Sequence, residues 1–270
     1  MTCQLARWAD LSRAQFAAID RSRTIAVLPV GAIEQHGPHL PVSVDRDLAE
    51  AVLERSLAHL PAELPVLAMP GFAYGKSNEH GAIPGTISLS AETMLRLLAD
   101  IAASLARTGF RRLVLLNAHG GNAPVLDIAA RDLKVEYGLH VATCNWYNFN
   151  EADRHGDVRE RSFGIHAGLV ETSAMLALKP DLVAMDVAAD FGNAAEDWQQ
   201  EFRHIGLTPG RARLAWTIED LSEAGACGDA SAATAELGEE LLATAARNFA
   251  AFLSEFDRFC DQQDRKNRAR

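Results

Sequence analysis

Apolar residues follow two rhythms over the first two-thirds of the chain. Short unbroken runs, TIAVLPV (24–30), PVLAM (65–69), RRLVLLN (111–117) and LHVATCNW (139–146), alternate with longer stretches. In those stretches, RDLAEAVLERSLAHL (46–60), SAETMLRLLADIAASLART (90–108) and a segment from about 122 to 137, apolar positions return at helical spacing. The short runs read as strands and the periodic ones as helices. Ser90 with Thr93 marks one helix start, and Gly109 and Gly138 mark two helix ends. Strand, helix, strand, helix predicts a three-layer α/β/α fold around a mostly parallel central sheet.

The pattern changes further on. HAGLVETSAMLALK (166–179) is a helical run stopped by Pro180. Residues 185–228 scatter glycine and proline without a clear period and read as long loops. The stretch 229–259 reads as one long amphipathic helix, and DQQDRKNRAR (261–270) as a frayed tail. No repeat or linker divides the chain, so residues 1–260 are expected to form a single domain. A length of 270 residues with 48% hydrophobic content supplies enough apolar surface for one large core.

Charge narrows the partners. A net charge of −10 lacks the basic stripe that nucleic acid or an anionic membrane requires. The longest uncharged apolar stretch, residues 24–33, is about half of the ~20 residues that a membrane span needs. Cys3, Cys144, Cys227 and Cys260 are widely spaced, without a C-x-x-C pair, as expected of reduced thiols. A soluble cytoplasmic protein is the expectation.

Ligands of open parallel sheets bind beyond the carboxyl ends of the strands. Three such ends run into polar clusters here: TIAVLPV into GAIEQHGPHLPVSVD, RRLVLLN into AHGGN, and LHVATCN into WYNFNEADRH. Glu34, His36 and Asp45 share the first loop, and carboxylate with imidazole suits Zn²⁺, Mn²⁺ or Fe²⁺. An aspartate can also bridge two ions about 3.5–4 Å apart. The same residues would equally suit a solvated polar loop. His39 reads as a histidine outside the ligand set, or on the surface. His119 stands at the second strand end, where Gly120 and Gly121 permit a tight turn.

Other readings of the glycines fail on spacing. HGGN lacks G-x-G-x-x-G, and GFAYGKS (71–77) has one spacer residue too few for a phosphate loop. Ser77, Glu79 and His80 instead fit a loop that is either exposed or contacts substrate over the site. His166 and Glu171 are five apart, so they converge only if His166 precedes the helix and Glu171 lies in its first turns. No G-x-S-x-G is present, and Cys144 sits within an apparent strand, which suits a core thiol better than a nucleophile.

Together, LPVGAIEQHGPHLPVSVD (28–45), HGAIPGTISL (80–89), RRLVLLNAHGGN (111–122) and HAGLVETSAMLAL (166–178) resemble the creatininase, or creatinine amidohydrolase-like, family. The resemblance implies a homohexameric binuclear metal hydrolase with two divalent ions, Zn²⁺ first and Mn²⁺ or Fe²⁺ as alternatives. It implies that Glu34 and His119 hold one ion, His36 the other, that Asp45 bridges them, and that His166 is the catalytic histidine. Creatininases carry Tyr-Glu where this chain has Gly120-Gly121, and that glutamate is a ligand. Glu171 is the candidate replacement.

A lid tryptophan of creatininases falls near Ser162 here, and Trp146 matches a family aromatic. Substrate contacts are expected from Ser77, Glu79, His80, Gly120, Gly121 and Trp146. The HGGN form is similar to relatives that open other amides, such as formamide deformylases and a peptidase, or cyclic sugar ketones. The expected reaction is hydrolysis of a C–N bond in a small amide, cyclic or open. A non-catalytic metal- or ligand-binding protein is the alternative from another class.

Overall fold

In a computed structural model of the chain, residues 6–208, 210–212 and 214–268 are described. Cys3 and the last two residues of the tail lie outside them. The central sheet has five parallel strands, β1 (Ala6–Arg7), β2 (Ile25–Val30), β3 (Val66–Ala68), β4 (Arg112–Asn117) and β5 (His140–Asn145), in the order β1-β3-β2-β4-β5. Every residue of β2, β3 and β4 is buried, which is why these strands appear as unbroken apolar runs.

The helices are α1 (Arg13–Ala18), α2 (Val44–Ser56), α3 (Ala91–Arg107), α4 (Ala123–Tyr137), α5 (Val158–Phe163), α6 (Leu169–Leu178), α7 (Ala195–Glu201), α8 (Ile218–Leu221) and α9 (Ala235–Arg268). Alternate residues of each central strand supply two cores. Ile25, Val27, Val114 and Leu116 face α2, α6 and α9, where Leu48, Val52, Met175, Phe249 and Leu253 pack. Ala26, Leu28, Leu113 and Leu115 face α3 and α4, against Met94, Leu98, Leu126 and Leu133. The result is the expected α/β/α sandwich, with β2 to β5, α3 and α4 placed to within about two residues of the predicted bounds, while α2 ends at Ser56 instead of 60 and α9 starts at Ala235 instead of 229.

Two expectations are corrected. The tail is not frayed as far as it is described: α9 runs without a break to Arg268. Asp257, Asp261 and Asp264 fall on one face of it, three and four residues apart, and grip the start of the sheet. Asp257 and Asp261 accept from the buried Arg112 guanidinium, and Asp264 lies 2.8 Å from His140 Nε2. The region 185–228 is not all loop either. It contains α7, α8 and a two-stranded antiparallel ribbon of β6 (Asp190–Phe191) and β7 (Gly228–Asp229), all too short to show a period.

Candidate metal centre

Residues 31–43 leave β2 and turn back into α2, so that Glu34 and His36 lie on the loop and Asp45 in the first helical turn. β4 lies beside β2 in register, Val30 opposite Asn117, which brings His119 alongside. Asn117 fixes that turn: its side-chain nitrogen donates to His119 O at 2.6 Å, and its oxygen accepts from His119 N at 3.2 Å.

The third contribution comes from 166–171. His166 sits before α6, tied to Cys227 by a backbone hydrogen bond of 2.8 Å. Ala167 then takes a left-handed conformation, φ +56°, that turns the chain into the helix. That turn answers the five-residue spacing: His166 and Glu171 both face His36, and Glu171 lies in the first turn of α6.

The side chains meet closely, and all are buried. His119 Nδ1 lies 3.1 Å from Glu34 Oε2 and 3.5 Å from Asp45 Oδ2. His36 Nε2 lies 3.5 Å from Asp45 Oδ1 and 3.9 Å from both Glu34 Oε1 and Glu171 Oε2. Two sets of three could each hold an ion, Glu34 with Asp45 and His119, and His36 with Asp45 and Glu171, and Asp45 belongs to both. A third combination joins Glu34, His36 and His166.

Hydrogen bonding around the histidines suits metal ligation. His36 Nδ1 donates to Glu34 O (3.1 Å) and His119 Nε2 to Lys76 O (3.0 Å). The nitrogens facing the carboxylates are thereby the ones that a metal would displace a proton from or bind directly, the usual support of a ligating imidazole. His36 Nε2 and Asp45 Oδ2 are buried without any hydrogen-bond partner, as ligand atoms are. The oxygen and imidazole donors suit Zn²⁺, Mn²⁺ or Fe²⁺.

Charge in the cluster is strongly coupled. Burial together with the neighbouring Glu34 charge pushes the Asp45 carboxyl up to about 7. Burial opposes a charge on His36, but Asp45, Glu171 and Glu34 outweigh it and raise the ring to about 9. His166 moves the other way, well below the usual imidazole value, through burial and the nearby His36 and His80 rings. Its Nε2 donates to Gln35 O at 2.8 Å, and its Nδ1 faces Glu34 Oε1 at 3.7 Å.

The remaining predicted residues separate. Ser77 Oγ donates to Glu34 Oε2. His80 Nδ1 accepts from the Gln35 amide at 2.8 Å, which directs its Nε2–H toward Glu34 Oε1, 3.7 Å away. Glu79 lies 3.4 Å from His119 Nε2 and 3.2 Å from Lys76 Nζ. These residues line or adjoin a cavity of about 560 Å³ that opens from the carboxylates past Gly120 and Gly121 toward Leu214 and Trp216.

Trp146 is fully buried in the α2–α9 core and does not line that cavity; its neighbour Tyr147 does. His39 is buried but turned away, 2.9 Å from Thr172 Oγ1 and stacked on Phe191. Cys144 and Cys227 are buried thiols pushed up to about 12 by their burial, which suits inert core positions.

Gln35, Lys76, Tyr147 and the 214–217 segment were not singled out by the sequence reading. Tyr147 had a usable signal, since it follows directly on a strand that ends at the site. The 214–217 segment had none.

Residues 9–253 match the family model Creatininase, described as creatinine amidohydrolase. A mycofactocin precursor peptide peptidase from Mycobacterium tuberculosis is 35% identical over 87% of the chain and 86% of its own length. A creatinine amidohydrolase from Pseudomonas putida is 38% identical over 62% of the chain and 68% of its own length. A solved manganese form of creatininase superposes with a TM-score of 0.72 at 29% identity, covering 93% of this chain and 98% of the other.

Proposed function

Because the chain belongs to the creatininase family of hydrolases, we propose that it is a binuclear metal-dependent hydrolase that cleaves a C–N bond in a small amide. The observation that carries this reading is the position of Asp45, shared between Glu34 and His119 on one side and His36 and Glu171 on the other. In this reading Glu34, Asp45 and His119 would hold one divalent ion and His36, Asp45 and Glu171 another, Zn²⁺ first and Mn²⁺ or Fe²⁺ as alternatives, with Asp45 common to both and Glu171 in place of a ligand at Gly121. Bound there, the ions supply Lewis acidity that polarises a carbonyl and acidifies water.

The chain's own groups handle the proton. With Nε2–H fixed on Gln35 O and its pKa held low, His166 is neutral and presents Nδ1 to the cluster as a base. It takes a proton from the attacking water and delivers it to the nitrogen as the C–N bond breaks, a general acid–base role worth typically 10²–10⁴-fold. His80 Nε2–H and Ser77 Oγ hold the Glu34 carboxylate in place. Trp216 and Leu214 form the outer wall against which the rest of the substrate rests.

Metal analysis of purified protein tests the centre first: two ions per chain are expected, with loss of amide hydrolysis on chelation and recovery on reconstitution. His166→Ala is expected to keep both ions and lose 10²–10⁴-fold in kcat, the size of a general acid–base contribution. A second reading rests on the Glu34–His36–His166 combination, in which His166 is itself a ligand. In that case His166→Ala loses an ion. Stoichiometric metal without turnover on any amide, formamide or cyclic ketone would favour a non-catalytic binding protein.

The reading includes a homohexamer, tested by light scattering for six times the 29.2 kDa chain mass. Among the described residues no helix is long and apolar enough to cross a membrane.

A further inference from the structure

Glu171 differs from the other carboxylates of the centre in how it is held. Glu34 and Asp45 flank one short loop and face the histidines directly, whereas Glu171 reaches in from α6 across the cavity. Both of its oxygens accept hydrogen bonds from outside the histidine and carboxylate cluster. Oε2 accepts from the backbone N–H of Ala167 at 2.6 Å, and Oε1 accepts from the Tyr147 hydroxyl at 2.5 Å. The first donor depends on the left-handed turn at Ala167, a conformation that costs a non-glycine residue on the order of 1 kcal/mol. The second depends on where the end of β5 is placed.

That placement is rigid. Asn117, the residue that fixes the His119 turn, also donates to Asn145 Oδ1 at 2.6 Å. Asn145 in turn receives the Asn148 side chain on its backbone N–H at 2.9 Å, closing the single turn Trp146–Asn148 that carries Tyr147. Trp146 anchors the turn in the core, its ring 5.0 Å from that of Tyr147. The His119 turn is therefore tied to the turn that carries Tyr147 by the Asn117–Asn145 hydrogen bond, and Tyr147 extends that link to Glu171.

We infer that Tyr147 is a positioning residue: its hydroxyl fixes the Glu171 carboxylate against His36 and Asp45 and so sets the affinity of the half-site built from those three residues. This rests on the reading above in which Glu171 is a ligand. Its physical basis is that a carboxylate on a helix has free side-chain rotors, and two donors on its outer side remove that freedom before an ion arrives. Without Tyr147 the half-site would keep all three ligands and lose the orientation of one.

The test is a Zn²⁺ titration of the full chain in competition with a chromogenic chelator. Tyr147→Phe is expected to weaken one ion by roughly 10–100-fold, the usual cost of removing an outer partner of a ligand, and to leave the affinity of the other unchanged. Glu171→Gln should lose that same ion, and Tyr147→Phe should add nothing to it in the double variant. Tyr147→Met, which keeps apolar bulk without a donor, should repeat the loss. The unfolding midpoint of each metal-free protein separates these effects from misfolding.

Unchanged affinity for both ions in Tyr147→Phe and Tyr147→Met, with one ion lost in Glu171→Gln, overturns the role of Tyr147 and leaves the proposed centre standing. Two ions at parental affinity in Glu171→Gln overturn the ligand assignment and the inference with it.

Discussion

Gly121 shows how much of the centre depends on single atoms. A Cβ there would fall on the Glu79 carboxylate and within 2.7 Å of Lys76 O, while one at Gly120 meets nothing within 4 Å. The Glu79 carboxylate thus occupies the space into which a residue 121 side chain would project, beside the His119 ring. Gly121→Ala is expected to displace Glu79 and the Lys76 backbone and to lower metal occupancy and turnover at least tenfold, whereas Gly120→Ala should stay within twofold on both. Metal content and kcat/KM for the pair check this.

At this scale the sequence was informative wherever chemistry was concentrated. EQHGPHLPVSVD named Glu34, His36 and Asp45, and the structure gathers them with His119 and Glu171. Tyr147 was missed although it follows directly on a strand that ends at the site, because nothing in NWYNFN marks which aromatic faces the cavity.

Among the elements, α9 is where sequence reading and structure part most clearly. Its described end, residues 261–268, is polar and charged, so by composition it resembles a solvated end; its role appears only through Asp261 and Asp264, which with Asp257 sit over Arg112 and His140. Arg112 is 2% exposed, and removing Asp257, itself 14% exposed, leaves its charge only the more exposed Asp261 as partner. Asp257→Ala should therefore cost about 3 kcal/mol in unfolding free energy.

Asp261 is 38% exposed and contributes less. The hydrogen bond from Arg112 holds its carboxyl below the ordinary value, so its contribution is complete above the unfolded pKa of about 3.9 and fades as pH falls through the lower folded value. Asp261→Asn should show a deficit below about 1 kcal/mol at pH 7 that closes toward pH 2. Denaturant unfolding at several pH values reads both variants. The helices with a strong apolar period, α3 above all, were legible; α7 and α8 span seven and four residues and offer too few positions for a period to register.

For the molecule as a whole, the alternation of apolar runs and periodic stretches was enough to specify the layers, because each buried strand and each helix had to find the other. It could not give the strand order, which depends on pairing between segments tens of residues apart, nor the packing of 214–217 over the cavity. The centre joins the β2 loop, α2, the β4 loop and α6, so any ion that binds only the folded state stabilises all four together. Chelation is expected to lower the thermal midpoint, and metal at a hundredfold excess over Kd to restore about 2.7 kcal/mol, read by scanning calorimetry.

The six-residue pairing of Ile25–Val30 with Arg112–Asn117 also bears on how related chains can vary in length. Each strand residue advances the chain by about 3.3 Å, so one residue gained or lost inside either strand would carry His119 past Glu34 by more than the 3.1 Å that now separates their facing atoms. The same change within 214–217 would alter only the cavity's outer wall. Insertions and deletions that survive selection should therefore gather in the outer segment and be absent from the two strands, leaving reach and selectivity free to diverge while the chemistry stays fixed.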